Sequence, residues 1–307
     1  MSNKISLLIH GPFSEQWLSQ ISKQIERASF EFDKIIIVSY ETDKGAYGEL
    51  LEKSPFKALI SLVTIKDLLN PGFFNINRQL VSINAGLNLI DPDSIVLKLR
   101  NDQSVNFNKL IPYFDEIKGG KILTTNCFSR KDRPYHPSDM FLCAKYSVIR
   151  DYYSMPLMSE SQLDIELKVV ESLEKDPTLK FLPISPESEL CKHYLVLKGW
   201  KIEGTFEDSM NALKKYFVIV NSWNIDFRWA KKRTHCFGKD ALILPHFFKT
   251  APFRMAMVEN VKCIMAHEIQ SSCPSLKDIF FIFLSKLVWS LWPQNLEGIR
   301  SKLSRKK

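Results

Sequence analysis

A short aliphatic segment, Ser94–Leu99, runs into the polar tetrapeptide Arg100-Asn101-Asp102-Gln103. The segment is bounded by turn residues and is typical of a strand that is covered on both faces. In open α/β sheets, ligands bind beyond the carboxyl ends of the strands. The types of side chain at that edge suit an anionic ligand bound by Arg100 and Asn101, with a divalent cation, Mn²⁺ or Mg²⁺, on Asp102. A surface ion pair between Arg100 and Asp102 is the alternative interpretation.

Further candidate residues follow two strands near the amino terminus. Ile5–His10 and Lys34–Ser39 are apolar runs on either side of a predicted helix, so they form a βαβ unit with parallel strands and a right-handed crossover. His10 closes the first strand, and Glu41 and Asp43 follow the second. An acidic residue after the second strand can accept hydrogen bonds from a ribose or a base. These three residues are therefore candidates for nucleotide binding, although both acids also suit a solvated turn.

The helix before the central strand is predicted from apolar residues at helical spacing: Ile76, Leu80, Ile83 and Leu87. Arg78 falls on the opposite side of this helix. Asp91-Pro92-Asp93 ends it, because proline cannot continue a helix and disfavours helical backbone in the residue before it. This Asp-x-Asp sequence resembles a metal-binding motif, but it precedes its strand. It therefore lies at the edge away from the ligand side, and we predict a turn and a cap.

The segment 126–139 is a polar loop before another apolar strand, and it carries a cluster of cations: Arg130, Lys131 and Arg133. Loops on a rigid scaffold often carry function. Asp139 lies at the start of the strand, where it suits either a contact to substrate or metal or a simple cap. His136 is interpreted as a structural hydrogen-bonding residue rather than as a base.

Two acidic residues, Glu187 and Glu189, open a predicted helix that runs to Leu197. The helix dipole favours acidic side chains in this first turn. A carboxylate is also the group needed to take a proton from a hydroxyl. Glu187, Glu189 and Asp139 are therefore candidate general bases, with helix capping as the alternative role of the two glutamates.

Composition limits the classes of protein to which the chain can belong. Six cysteines are scattered without a Cys-x-x-Cys pair, which argues against a zinc ribbon, and the length of 307 residues argues against a disulfide scaffold. Unpaired thiols fit a reducing cytoplasm, and we expect no signal peptide at the amino terminus. The net charge is +8, but residues 277–307 account for +5 of it, so we expect no nucleic-acid partner.

Residues 275–307 are predicted to be a membrane-association segment, separate from a domain of residues 1–274. Ile279–Trp292 is intensely apolar but too short to span a bilayer, which takes about 20 apolar residues. Tryptophans at 289 and 292 favour a membrane interface, and a basic tail follows: Arg300, Lys302, Arg305, Lys306 and Lys307. This order is typical of an amphipathic anchor on anionic lipid. A helix docked on the domain or on a second protomer is the alternative.

Two stretches, Asn77-Arg78-Gln79 and Lys98–Gln103, together resemble the WavE family, as does the Pro-x-Asp-Met-Phe run that includes Asp139. These are bacterial proteins of lipopolysaccharide and capsule synthesis that are usually regarded as glycosyltransferases. The resemblance extends to about Leu195. It implies a GT-A-like, Rossmann-type mixed sheet flanked by helices, and it favours Glu189 over Glu187 as the base.

The resemblance also implies a function. A nucleotide-sugar donor would bind at His10, Glu41, Asp43, Arg78, Arg100 and Asn101, and a metal-assisted, inverting transfer would move its sugar to a glycan or glycolipid acceptor. The protein would then be cytoplasmic and peripheral on the inner face of the bacterial inner membrane. Two alternatives remain open. One is a nucleotidyl- or phospho-sugar transferase, which would need a glycine-rich phosphate loop where only Gly11 is present. The other is a non-catalytic scaffold of a polysaccharide assembly complex.

Overall fold

The computed structural model describes residues 4–13, 15–131, 133–175, 184–229, 264–270, 273–276, 278–280 and 283. The predicted membrane-association segment 275–307 thus lies mostly outside the described residues. No helix among the described residues is both long and apolar enough to cross a membrane.

The described strands are short and mostly buried. They are β1 (Ile5–His10), β2 (Lys34–Tyr40), β3 (Ile60–Ile65), β4 (Ile95–Arg100), β5 (Gln103–Ser104), β6 (Ile122–Thr125), β7 (Leu142–Lys145), β8 (Phe217–Val220) and β9 (Arg228–Trp229). Seven of them form one sheet in the order β3-β2-β1-β4-β7-β6-β8. Strands β1 to β4 are parallel, and β7 runs antiparallel to both β4 and β6. β5 and β9 form a separate two-stranded ribbon.

Helices cover both faces of the large sheet. They are α1 (Glu15–Glu26), α2 (Lys44–Glu52), α3 (Ile76–Leu87), α4 (Phe114–Lys118), α5 (Tyr146–Tyr152), α6 (Glu160–Lys175), α7 (Pro186–Leu197), α8 (Phe206–Tyr216) and α9 (Ala266–Gln270). Side chains alternate between the faces of a strand. Leu7 and Ile9 of β1 therefore belong to the core that includes residues of α1 and α4, whereas Leu8 belongs to the core on the other face, with residues of α3, α5, α7 and α8.

The architecture agrees with the class expected from the sequence. The βαβ start, the parallel β1–β2 pair and the doubly covered β4 are confirmed. Together they make the α/β, Rossmann-type mixed sheet, flanked by helices, that was expected for a GT-A-like domain. The predicted turn at Asp91 is also confirmed, because the Asp91 carboxylate accepts a hydrogen bond from the backbone N–H of Asp93 at 3.0 Å.

Candidate active site

A cleft of about 690 Å³ opens where β1, β2 and β4 end. A cavity of this size is in the range that small-molecule ligands occupy. Its lining includes residues from four strand ends and loops and from the start of α7: His10, Gly11, Tyr40, Asp67, Arg78, Gln79, Arg100, Asn101, Phe128, Arg130, Arg133, His136, Asp139, Ser185 and Glu187. Of the residues predicted from the sequence, the cleft brings together His10, Arg78, Arg100, Asn101 and Asp139.

The floor of the cleft is the junction of β1 and β4. The backbone N–H of Asn101 donates to the carbonyl oxygen of His10 at 3.0 Å, which joins the two strand ends. Gly11 has a φ of 131°, and a Cβ atom there would lie 2.5 Å from Oδ1 of Asn101. Glycine is therefore required for the amide of Asn101 to approach the backbone so closely.

His10 is neutral at the floor of the cleft. Its side chain is only 8% exposed, and its Nε2 has no hydrogen-bond partner within the described part of the chain. Burial, and then the positive charges of Lys98 and Arg100, lower the pKa of His10 well below its ordinary value. A neutral imidazole with an unpartnered nitrogen is a polar group that a ligand can satisfy.

Arg100 and Asp102 form the ion pair that the sequence allowed as an alternative. Nη2 of Arg100 lies 2.9 Å from Oδ2 of Asp102, and both side chains are largely buried. Asp102 is not among the residues that line the cleft. The predicted metal ligand is thus occupied by a guanidinium, and the described residues contain no group of three His, Cys, Asp or Glu side chains placed for a metal ion. The side chains at this strand end do not fit a cation bound through Asp102.

One wall of the cleft is the amino-terminal half of α3. Arg78 makes a bidentate ion pair with Asp67, with both N–O distances at 2.7 Å, and it also donates to Asn75 at 2.8 Å. One turn along, Nε2 of Gln79 donates to the carboxylate of Asp139 at 2.6 Å. Arg78 is therefore held at the rim, and Asp139 is held inside the cleft, against α3.

The loop between β6 and β7 forms the opposite wall, and hydrogen bonds fix its shape. The Thr124 hydroxyl donates to the carbonyl oxygen of Ser138 at 2.7 Å, and the Arg130 N–H donates to that of His136 at 2.8 Å. Tyr135 donates its hydroxyl proton to Asp208, at the start of α8, and accepts from the Gly204 N–H at 2.9 Å. The loop that carries Arg130, Arg133 and His136 is therefore preorganised by two neighbouring elements.

Glu187 enters the cleft from the first turn of α7. Its Oε2 accepts a hydrogen bond from the Ser185 hydroxyl at 2.5 Å and lies 3.6 Å from Nε2 of His136. Burial, and then the negative charge of Asp139, raise the pKa of Glu187 to about 7. Burial and the charge of Arg133 lower the pKa of His136 to about 4. At neutral pH the histidine is uncharged, and the glutamate is close to its pKa, so both its protonated and its ionised forms are populated.

Lys98 supports the cleft from below. It is fully buried in β4, and its ammonium donates to the backbone carbonyl oxygen of Asp139, next to the Tyr153 ring. Burial lowers the pKa of Lys98 to about 8, and the charge of Asp139 acts against that shift. This contact fixes the main chain at Asp139. Lys98 opens one of the stretches that resemble the WavE family, but no role was predicted for it, although a lysine inside an aliphatic strand is an unusual residue.

Three other predicted residues lie outside the cleft. Glu189, the preferred base in the sequence prediction, is on the far side of the first turn of α7, where it pairs with Lys192 at 2.7 Å, whereas Glu187 lines the cleft. Asp43 accepts hydrogen bonds from the Phe13 N–H at 3.0 Å and from the Ser39 hydroxyl at 2.7 Å. It therefore fastens the β1 loop to the end of β2, and Glu41 is exposed beside it.

Strained backbone is concentrated around the cleft. Asp226 is one of five non-glycine residues with positive φ in the described part of the chain. The other four line the cleft or adjoin His136: Phe74 (49°), Asn75 (65°), Phe128 (66°) and Tyr135 (52°). Each such conformation costs on the order of 1–3 kcal/mol and persists where the surroundings impose it. Residues of this kind cluster at functional sites.

No protein-family model matches the chain, and no curated protein matches it. The resemblance to the WavE family is therefore not confirmed. The cleft and sheet define an α/β protein with a polar, arginine-rich site at the carboxyl ends of its strands.

Solved structures with a similar arrangement are distant. The glycosyltransferase GlyE of Streptococcus pneumoniae is 12% identical, with a TM-score of 0.35 over 72% of this chain and 46% of GlyE, so the match spans about half of that protein. Glucosyl-3-phosphoglycerate synthase of Mycobacterium tuberculosis, solved with Mn²⁺ and uridine diphosphate, is 11% identical, with a TM-score of 0.34 over 66% of this chain and 82% of the synthase. The 4-diphosphocytidyl-2C-methyl-D-erythritol synthase of Anaerococcus prevotii is 17% identical, with a TM-score of 0.37 over 64% of this chain and 97% of the synthase.

Proposed function

We propose that the protein is a nucleotide-sugar-dependent glycosyltransferase whose acceptor is a lipopolysaccharide, capsule or other surface glycan. One observation carries this proposal. In a single cleft, arginines face a carboxyl group whose pKa lies near 7. Guanidinium groups suit the diphosphate of a donor, because they bind phosphate oxygens in pairs. A carboxyl group that titrates near the working pH suits the acceptor hydroxyl, whose proton must be removed.

The proposed reaction is a direct displacement with inversion. The Glu187 carboxylate takes the proton of the acceptor hydroxyl, whose oxygen forms a bond to the anomeric carbon of the sugar. The bond between that carbon and the phosphate oxygen breaks, and the nucleoside diphosphate leaves with the electron pair. Arg100 and the arginines of the β6–β7 loop stabilise the charge that develops on the leaving group. Asp139 raises the pKa of Glu187 and so strengthens it as a base.

The reaction as proposed has no step through a metal ion. The sequence predicted Mn²⁺ or Mg²⁺ on Asp102, but the carboxylate of Asp102 is bound to Arg100 and does not line the cleft. The proposed partners are a nucleotide-sugar donor and a glycan or glycolipid acceptor.

We also propose that residues 275–307 bind the membrane surface, where a lipid-linked acceptor would be found. Two observations on the described part of this segment support the idea. Asp278 is buried and accepts hydrogen bonds from Asn221 at 2.6 Å and from Trp223 at 2.9 Å, which anchors the segment to the end of β8. The apolar residues around it remain exposed at helical spacing: Leu276, Ile279, Phe280 and Phe283. An apolar face followed by a basic tail suits the interface of an anionic bilayer.

The function is tested by nucleotide release. The full chain is incubated with UDP-, GDP- and CMP-sugars and a mixed surface-glycan extract, and both free nucleotide and pyrophosphate are measured. We expect extract-dependent release of one nucleotide class, with transfer of the sugar to the extract. Pyrophosphate as the product would instead indicate nucleotidyl transfer. No turnover of any donor would support the scaffold alternative.

A further inference from the structure

The lining of the cleft contains more positively charged than negatively charged side chains. Four guanidinium groups line it: Arg78, Arg100, Arg130 and Arg133. The acidic residues in the lining are Asp67, Asp139 and Glu187. Asp67 is neutralised at the rim by its bidentate pair with Arg78. Glu187 holds its proton up to about pH 7 because burial raises its pKa. Arg100 is likewise paired with Asp102, so Arg130 and Arg133 add two positive charges to the lining against the negative charge of Asp139, and the cleft favours an anion.

Each carboxylate near the cleft has a contact through one of its oxygens. Asp102 is paired with Arg100 at 2.9 Å, and Asp139 accepts from Gln79 at 2.6 Å. Glu187 accepts from the Ser185 hydroxyl at 2.5 Å. Mg²⁺ and similar hard cations need carboxylate or carbonyl oxygens that are free to coordinate. The described residues contain no group of three His, Cys, Asp or Glu side chains placed for a metal ion, whereas four guanidinium groups line the cleft.

We propose that the cleft binds the diphosphate of its nucleotide donor through Arg100, Arg130 and Arg133, without a divalent cation. This inference rests on the proposed function and replaces the metal-assisted transfer that was predicted from the sequence. Guanidinium groups bind phosphate oxygens through two parallel N–H donors each and keep their charge at every working pH. They thus supply the stabilisation of the leaving group that a cation would otherwise supply.

The surroundings of the arginines indicate a built site. The side chains of His10 and His136 are 8% and 4% exposed, and each has a ring nitrogen with no hydrogen-bond partner in the described ranges, Nε2 in His10 and Nδ1 in His136. Both rings are neutral at pH 7, since burial lowers the pKa of each. Neutral imidazoles beside the arginines offer hydrogen bonds to phosphate or ribose oxygens. Because they are neutral, they add no further positive charge beside the arginines.

Hydrogen bonds hold the backbone that carries two of the arginines. Arg130 and Arg133 belong to the β6–β7 loop, whose backbone is tied together by the bond from the Arg130 N–H to the His136 carbonyl oxygen at 2.8 Å. The backbone N–H of Tyr135 donates to the Ser209 hydroxyl at 2.6 Å, which ties the same loop to α8. The main chain under these two charges therefore needs little reorganisation when the leaving group becomes negative.

The test is isothermal titration of the full chain with UDP and GDP, and with CMP as a nucleotide that lacks a diphosphate, in excess EDTA and then in excess Mn²⁺. We expect UDP or GDP to bind, with Kd values in the two conditions equal within about twofold. Binding of CMP alone would overturn the inference. The variants Arg133→Gln and Arg130→Gln should each weaken the binding of UDP or GDP about 10- to 100-fold, because each removes charge-assisted hydrogen bonds. Arg150→Gln, an exposed arginine on α5 away from the lining, is the matched control and should bind as the wild type does.

Different results overturn different claims. Binding that disappears in EDTA and returns with Mn²⁺ would overturn the inference and leave the proposed function intact. Wild-type affinity in both Arg133→Gln and Arg130→Gln would also overturn it. Lack of binding by all three nucleotides in both conditions would contradict the proposed function as well. Circular dichroism of each variant checks that a loss of binding is not a loss of folding.

Discussion

Glu187 and Glu189 are two residues apart, yet only one of them reaches the cleft. Successive residues of an α-helix are rotated by about 100°, so two residues two positions apart point to nearly opposite sides. Glu187 shares the side of Leu190, Cys191 and Tyr194, all of them buried. Glu189 shares the outer side with Lys192, its ion-pair partner. The difference in environment makes one glutamate a candidate base and leaves the other a surface charge.

Replacing the two glutamates separately should give different results. We expect Glu187→Gln to lower kcat by about 10²- to 10⁴-fold, which is the usual contribution of a general base, while nucleotide affinity changes little. Glu189→Gln is the matched control and should retain nearly full kcat. Steady-state kinetics with the active donor measures both. Equal losses in the two variants, or none in either, would contradict the role of Glu187.

The pH dependence should follow the titration of the same carboxyl group. Burial raises the pKa of Glu187 from 4.5 to about 7, and the base must be ionised to act. The rate should therefore rise as the pH increases through about 7. Between pH 4.5 and 7 the Glu187 carboxyl group is protonated in the native state but ionised in the unfolded chain. Glu187 therefore makes the free energy of unfolding fall as the pH rises from 4.5 to 7.

Rate profiles and urea denaturation at several pH values measure the two effects of the titration. Glu187→Gln should remove the limb near pH 7 from the rate profile. It should also flatten the dependence of stability on pH between 4.5 and 7. His136 should not contribute a limb in this range, because its pKa is about 4. A rate limb near pH 7 that persists in the variant would mean that another group is the base.

At the scale of elements, the junction of β1 and β4 determines the floor of the cleft. Gly11→Ala places a Cβ 2.5 Å from Oδ1 of Asn101, in a backbone conformation with φ of 131°. We expect a loss of about 1–3 kcal/mol in the free energy of unfolding, and weaker nucleotide binding because the Asn101 amide is displaced. Urea denaturation and titration calorimetry measure the two effects.

Gly120→Ala is the control for backbone strain alone. Gly120 also has a positive φ, of 92°, but a Cβ there meets no atom within 4 Å. This variant should lose stability without a change in nucleotide affinity. If it weakened binding as much as Gly11→Ala does, the contact between Gly11 and Asn101 would not be the cause.

The sequence predicts elements well where a local pattern decides them. The strand β1 is predicted from its apolar run with the bounds that the structure has, and α3 follows from its apolar stripe. Helix α8 was not predicted, although Thr205 caps it by accepting from the Asp208 N–H at 3.1 Å, a start signal visible in the sequence. The start of α8 is thus another element that a local pattern could have predicted.

Parts of the site depend on contacts between distant residues, and the sequence does not reveal them. The Tyr135 hydroxyl meets Asp208, 73 residues along the chain, and Gln79 meets Asp139 across 60 residues. Nothing local indicates such pairs. The choice between the two glutamates was different, because the spacing of Leu190, Cys191 and Tyr194 already marks the buried side of α7. The face of the helix therefore favours Glu187, whereas the family resemblance favours Glu189.

At the scale of the whole molecule, the charge is unevenly distributed, with +5 of the net +8 in residues 277–307. We expect the full chain to sediment with vesicles that contain phosphatidylglycerol but not with vesicles of phosphatidylcholine alone. Each Lys or Arg near an anionic surface contributes about 1 kcal/mol, and salt screens the attraction. Replacing Arg305, Lys306 and Lys307 by serine should therefore weaken the binding. Equal binding to both vesicle types would argue against an electrostatic anchor.

The central claim is that the cleft at the carboxyl edge of β1 and β4 binds a nucleotide-sugar donor. Hydrogen exchange of the full chain, followed by mass spectrometry with and without saturating UDP, GDP or CMP, tests it most directly. The expected result is slower exchange with one nucleotide in residues 10–13, 100–103 and 128–139, which form the floor and one wall of the cleft, and little change in α6 or β3. Protection confined to other elements, or none with any of the three nucleotides, would contradict the assignment of this cleft as the donor site.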